Sequence, residues 1–183
     1  MKSTMPRPPV TLATARLHLA PPRREDAAEA LAAYAGDPEV TRYLTWRPYT
    51  EAGPLADFLE ARALDWTRDS GHYAYLIRLA RTGAIAGSIG LVLDGNRALF
   101  GYVLGRAHWG QGLMTEALRA LLDWTDGEPE IFRAWAFCDV ANPASARVME
   151  KAGMTREGIL RRWHVAPNIG PEPRDCIVCA RVR

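Results

Sequence analysis

The chain has 183 residues, 48% hydrophobic and 24% charged, with a formal net charge of +2. That length favours one domain that buries a core without staples, and the small charge excludes a nucleic-acid partner held by a basic stripe. Three cysteines, no apolar leader in the first nine residues and no apolar run of membrane-spanning length point to a reducing, cytoplasmic setting with no membrane partner.

Residues 1–11 are Pro-rich and are expected to form a loose tail, with 12–183 a single domain. Arg16-Leu17-His18-Leu19-Ala20 alternates as a first strand. Residues 25–35 are Ala-rich and predict a helix ended by Gly36-Asp37-Pro38. An irregular stretch at 41–50 carries Tyr43, Trp46 and Tyr49. A second helix is predicted over 54–68, with Leu55, Phe58, Leu59, Ala63 and Trp66 on one side.

Three strands follow at 72–79, 84–93 and 98–104. Arg81-Thr82-Gly83 and Asp94-Gly95-Asn96 serve as turns between them. A helix opens at Gly110-Gln111-Gly112 and runs to about 125. A strand spans 131–138. A helix at 142–152 has Asn142 as N-cap, Pro143 at its first position and Gly153 beyond its end. Residues 155–163 and 175–182 complete the strands. Cys176 and Cys179 lie three apart in the last of these, so their side chains face opposite ways and read as core rather than as a metal or redox pair. The order is that of an α+β (α/β mixed-sheet) domain.

One join carries chemistry. A strand ends at Leu104 and a helix begins after Trp109-Gly110-Gln111-Gly112. The first N–H groups of a helix lack internal partners and sit at its positive end, and glycines let an anion come close. This is a pyrophosphate cradle. It is not a GxxxxGK[ST] loop, and it lacks the third glycine and the later acid of a dinucleotide site.

Gly101-Tyr102-Val103-Leu104 followed by Trp109-Gly110-Gln111-Gly112-Leu113-Met114-Thr115-Glu116-Ala117 resembles motif A of the GNAT superfamily of N-acetyltransferases. Asn142 to Met154 resembles that family's Asn…Ser…Glu-Lys-x-Gly-Phe helix, with Met154 in place of Phe. Thr14-Ala15-Arg16-Leu17 and Asp37-Pro38-Glu39-Val40 resemble the branch of the ribosomal-protein-alanine N-acetyltransferases, the RimJ/RimL type. The resemblance implies a seven-stranded, mostly antiparallel sheet with a V-shaped splay between its fourth and fifth strands, flanked by about four helices. It implies acetyl-CoA as cosubstrate and no metal. Pantetheine would pair with the backbone of Tyr102, Val103 and Leu104. The pyrophosphate would rest on Trp109 to Met114, with contacts extending to His108 and Thr115. Asn142 would hold the arm, with Ser145 near the sulfur. Tyr43, Trp46 and Tyr49 match the acceptor-side loop, where they either wall the amine site or pack beneath it.

The departures from the family pattern fall around the reacting atoms. Ala107 replaces a Gln or Arg of relatives, leaving His108 or Gln111 as side-chain candidates. The strand 97–102 has no carboxylate to act as base, and Met149 stands where relatives carry a tyrosine acid. Ser145 is therefore the candidate acid. An α-amine, with a pKa of about 7.7–8.0, costs about 1 kcal/mol to deprotonate at pH 7, whereas a lysine near 10.4 costs roughly 4.6 kcal/mol. A site without a base carboxylate thus favours a peptide or protein α-amine. A small-molecule amine and a non-catalytic CoA-binding module remain rival readings, and the protein is expected to be a monomer or homodimer. Glu116 reads as structural, Asp139 as a loop cap, and His72 and His164 as strand-end residues. Asp123, Asp126, Glu128 and Glu130 read as a solvated acidic loop.

Overall fold

A computed structural model describes residues 6–68 and 70–183. Eight strands form one sheet: β1 Leu12–Ala13, β2 Leu17–Ala20, β3 His72–Leu79, β4 Ile85–Asp94, β5 Arg97–Leu104, β6 Arg133–Asp139, β7 Thr155–Val165 and β8 Pro173–Val182. Their order is β1-β2-β3-β4-β5-β6-β8-β7. Every pairing is antiparallel except β5 with β6. The sheet has one strand more than the sequence pattern suggests, because Leu12 and Ala13 pair with Leu19 and His18 in a two-residue strand too short to show periodicity.

Among the described residues, five α-helices flank the sheet: α1 Ala27–Ala30, α2 Pro38–Thr41, α3 Ala52–Asp65, α4 Leu113–Gly127 and α5 Pro143–Lys151. The helix expected over 25–35 is present without interruption but changes its winding along its length. A 3-10 turn at Arg24–Asp26 enters α1, and a π-helix at Leu31–Ala35 leaves it. Nor does Gly36-Asp37-Pro38 simply end it, since the Asp37 side chain accepts from Glu39 N and Val40 N and starts the one-turn α2.

Apolar side chains divide between two cores. Tyr73, Tyr75, Ile77, Ile89, Leu91 and Phe100 face α4 and α5, meeting Leu113, Leu118, Leu121 and Met149. On the opposite face Leu76 and Ile85 meet Ala27, Ala30, Leu55 and Leu59 of α1 and α3. Each fully buried Leu or Ile contributes roughly 1.5–3 kcal/mol. The second core stops at β5. Beyond it, β6 buries Ala134, Ala136 and Cys138 while Trp135 and Phe137 on its other face stay partly open.

Part of the segment expected to be loose is held. Pro8 is buried, the Tyr75 hydroxyl donates to Pro9 O at 2.5 Å, and Arg7 donates to Trp66 O; residues 1–5 lie outside the described residues. No helix among the described residues is long and apolar enough to cross a membrane.

Candidate active site

Strands β5 and β6 pair in parallel at only three positions, Arg97 with Arg133, Ala98 with Ala134 and Leu99 with Trp135. Beyond these, β5 continues to Leu104 and β6 to Asp139 unpaired with each other, which opens a V. Backbone alternation tells which groups face the gap. Gly105 N donates to Ala86 O on the β4 side, and Phe132 N donates to Asn96 O on the β6 side. The backbone groups of Val103 therefore point to β4, and those of Phe100, Tyr102 and Leu104 point into the V. Of the strand residues expected to line the gap, Tyr102 and Leu104 do so through their backbone and Val103 does not. Val103 packs instead on the α1–α3 core. Its carbonyl comes so close to β4 that a Cβ on Gly87 would stand 2.2 Å from it, so position 87 requires glycine.

At the mouth of the V, a 3-10 turn at Arg106–His108 leads into the glycine turn. Gly110 and Gly112 both take φ of 74°, the left-handed region that suits glycine. Gly112 is the N-cap of α4, and the first helical bond runs from Glu116 N to Gly112 O at 3.0 Å. The N–H groups of Leu113, Met114 and Thr115 precede that bond and open outward. The expected cradle narrows at its start, because Trp109 N is spent on Arg106 O at 3.1 Å and its indole donates to Leu104 O at 2.7 Å. Gln111 also turns inward, its amide donating to Ala107 O at 2.9 Å. His108, the other side-chain candidate, ends the 3-10 turn half-buried. Arg106 is committed to Asp37 and Glu39.

Asn142 and Ser145 come together opposite Tyr102. The Asn142 side-chain oxygen accepts from Ser145 N at 3.2 Å, the N-cap read from sequence. Ser145 Oγ lies 2.9 Å from the Tyr102 hydroxyl, and burial raises that phenol's pKa against the opposing pull of Ser145. Cys138 lies alongside. Burial pushes its thiol up to about 12, and its Sγ donates to Asn142 O at 3.7 Å. Cys176 and Cys179 are likewise buried and unpaired, in keeping with core roles.

Tyr43 ties its loop to the segment after β6, and Asn168 ties the β7–β8 loop to that same loop. The Tyr43 hydroxyl donates to Ala141 O at 2.9 Å, and Asn168 donates to Thr41 O and Trp46 O. Trp46 and Tyr49 pack on the α1–α3 core, so among the three loop aromatics only Tyr43 reaches the end of β6. Asp139 is buried, caps Ala141 N at 2.8 Å and pairs with Arg174. Burial raises its pKa, but Arg174 and Ala141 N outweigh burial, and the carboxyl is held below its ordinary range. His164 lies against Phe137, with ring centroids 5.4 Å apart, and burial holds its pKa down against the nearby Asp139 charge. His72 sits exposed at the start of β3.

The sequence singled out Thr14-Ala15-Arg16 and Glu116 separately, and the structure joins them. Glu116 accepts from the Thr14 hydroxyl at 2.6 Å, from Arg16 N at 3.0 Å and from Arg16 Nε at 2.6 Å. Arg16 Nη1 donates to Gln111 O at 2.9 Å, inside the glycine turn. No periodic pattern connects residues 100 apart, so this contact had no local signal.

An acetyltransferase (GNAT) domain profile matches residues 16–155, and the chain belongs to that family of N-acetyltransferases. It is 31% identical to the uncharacterized N-acetyltransferase p20 of Bacillus licheniformis over 85% of this chain and 88% of that protein. Two solved structures share its fold. Microcin C7 self immunity acetyltransferase MccE, in complex with acetyl-CoA and AMP, matches with a TM-score of 0.83 at 20% identity over 93% of this chain and 94% of that one. RimL, the ribosomal L7/L12 α-N-protein acetyltransferase in complex with coenzyme A, matches with a TM-score of 0.80 at 22% identity over 95% of this chain and 96% of that one.

Proposed function

We propose that the protein transfers acetyl from acetyl-CoA to a primary α-amine of a peptide or protein by direct attack in a ternary complex, in the manner of the RimJ/RimL-type branch. The observation that carries the reading is the unpaired stretch of β5 beside the glycine turn. A pantetheine arm can continue the sheet along the edge groups of Phe100 and Tyr102 while a pyrophosphate meets the first N–H groups of α4. Among the described residues only the Asn142 side-chain oxygen is engaged, in the cap, which leaves its NH2 for the arm. The thioester, at the end of the arm away from the pyrophosphate, lies deeper in the V than Leu104, and the Tyr102 N–H, which faces the gap, is the donor for the developing oxyanion.

The amine arrives from the face that carries Tyr43, Trp135 and Phe137. It must lose a proton before attack, and β5 offers no carboxylate to take it. An amine already partly neutral at pH 7 fits such a site better than a lysine. The C–S bond then breaks, Ser145 Oγ passes its proton to the departing thiolate, and the proton released by the acylated nitrogen returns through water to the serine.

A second reading, a small-molecule amine carrying a flat ring, draws on one observation. Phe137 forms an open aromatic row with Trp135 and Trp163, at centroid distances of 6.1 and 6.3 Å. MccE, of the same fold, was solved with AMP. Thiol release from acetyl-CoA, followed over N-terminal peptides, Nα-blocked lysine peptides, polyamines and aminoglycosides, decides between the readings. The α-amine reading expects the free N-termini to be used best. Preference for blocked lysine peptides overturns it.

A further inference from the structure

The glycine turn offers backbone donors but little positive charge of its own. Arg106 is engaged with Asp37 and Glu39, Ala107 has no polar side chain, and the Gln111 amide is folded back on Ala107 O. A pyrophosphate resting there still needs a cation. One guanidinium reaches into the turn from the segment before β2.

Arg16 Nε is held by Glu116 at 2.6 Å and Nη1 by Gln111 O at 2.9 Å. Its third nitrogen, Nη2, has no hydrogen bond among the described residues. It stands 3.7 Å from where a Cβ on Gly112 would be. Arg16, Gly112 and Glu116 line the N-terminal end of an open groove of about 600 Å³ that continues along α4 past Arg119 and Lys151. The guanidinium is therefore fixed at two corners, with its third corner beside the glycine that caps the helix.

We infer that Arg16 is a phosphate-binding residue of this site, clasped in place by Glu116, and that it recognises the pyrophosphate portion of acetyl-CoA. This rests on the acetyl-CoA reading above. Glu116 has two effects in this arrangement. Its carboxylate suits the positive end of α4, but alone it would repel an incoming anion. Burial raises its pKa, and Thr14 and Arg16 together reverse that and hold it ionised. Arg16 cancels the repulsion and retains one N–H edge for the ligand, as a planar fork of five donors allows.

The experiment compares two thioester donors, acetyl-CoA and S-acetylpantetheine, which lacks the pyrophosphate. It uses wild type, Arg16→Met, Arg16→Lys and the double variant Arg16→Met/Glu116→Gln. Arg16→Met is expected to raise KM for acetyl-CoA at least tenfold with kcat within twofold, and to leave kcat/KM for S-acetylpantetheine unchanged. Arg16→Lys keeps the charge without the fork and should lose about threefold, which covers the case of a Met variant that does not fold. The double variant should remain at least fivefold weaker than wild type. Full recovery there would reduce Arg16 to a neutraliser of Glu116 and overturn the assignment. So would equal losses with both thioesters, the mark of a structural role. Titration of CoA itself by calorimetry needs no acceptor. If wild type acetylates nothing, the acetyl-transfer reading fails, while an unchanged CoA affinity in Arg16→Met is the result that sinks the clasp.

Discussion

The Tyr102 hydroxyl stands 2.9 Å from Ser145 Oγ and donates to Ser145 O at 3.1 Å, so one phenol on β5 holds the first turn of α5. Burial raises that phenol's pKa, so it stays a donor toward α5, and its donation to Ser145 O leaves the serine O–H free to turn toward the sulfur. General acids contribute roughly 10²–10⁴-fold, and a thiolate is a good enough leaving group for water to recover much of this. Ser145→Ala is expected to lower kcat by about 10- to 100-fold with KM for acetyl-CoA within twofold. Tyr102→Phe should lower kcat by a few-fold, because the serine stays but loses its anchor. Steady-state kinetics with acetyl-CoA varied checks both, and a wild-type kcat in Ser145→Ala removes the serine from the mechanism.

Gly110 permits two substitutions that separate shape from charge. Its φ of 74° strains any side chain, yet a Cβ there would meet nothing within 4 Å. Gly110→Ala should cost about 1–2 kcal/mol in backbone strain and weaken CoA binding modestly. Gly110→Asp adds a negative charge at the cradle and should abolish CoA binding at micromolar protein. Calorimetric titration with CoA distinguishes them, and normal binding by the Asp variant would place the pyrophosphate elsewhere.

The Asp139–Arg174 pair makes a prediction about stability and its pH dependence. The Asp139 side chain is 1% exposed and that of Arg174 30% exposed. Removing one partner of a buried pair costs 3–5 kcal/mol, and the partial exposure of Arg174 places Arg174→Met near the lower end, about 3 kcal/mol at pH 7. In the wild type, Asp139 is held below its ordinary value of 3.8, so its contribution is full above that value and is lost as pH falls through the lower folded value. Without Arg174 the largest lowering influence on Asp139 is lost and burial draws its pKa upward, so acidification costs the variant less than the wild type. Urea denaturation at pH 7 and pH 4 should show the gap between the two proteins narrowing at the lower pH. A constant gap would mean that Asp139 is not the group involved.

What could be read from sequence was what is local. Asn142, Pro143 and Gly153 mark both ends of α5 within a dozen residues, and the structure places the cap bond and a φ of 100° at Gly153 where those signals predict them. The glycine turn was equally legible, because strand, turn and helix follow without a break. Contacts that close across the fold had no such signal. The insertion of β8 between β6 and β7 is set by pairing rather than by periodicity. The inward turn of Gln111 and the Arg16–Glu116 contact depend on atoms that meet only after folding. The π-helix at Leu31–Ala35 also escapes a propensity reading, since alanine favours α-helix, and the turn packs closely against the chain just after β5. There the Ala33 carbonyl comes so near that a Cβ on Gly105 would stand 2.3 Å from it.

Trp163 tests the acceptor side independently of the CoA side. The residue is 51% exposed and its ring meets Phe137 edge-on at 85°, on the face of the sheet that α1 and α3 leave open. Half-exposed, it contributes little to stability, and Trp163→Ala should shift the unfolding midpoint only slightly. An acceptor that approaches along β6 must pass this corner, and loss of an aromatic wall lowers affinity without altering the reacting groups. The expected result is a rise of about five- to tenfold in KM for the amine, with KM for acetyl-CoA and kcat within twofold. Trp163→Phe should retain most of the affinity. Two-substrate kinetics provides the measurement, and because Arg16 and Trp163 lie on opposite faces, their effects should multiply in the double variant. An unchanged amine KM in Trp163→Ala would put the acceptor on another path, most directly over Tyr43 and the loop that Asn168 holds to Trp46.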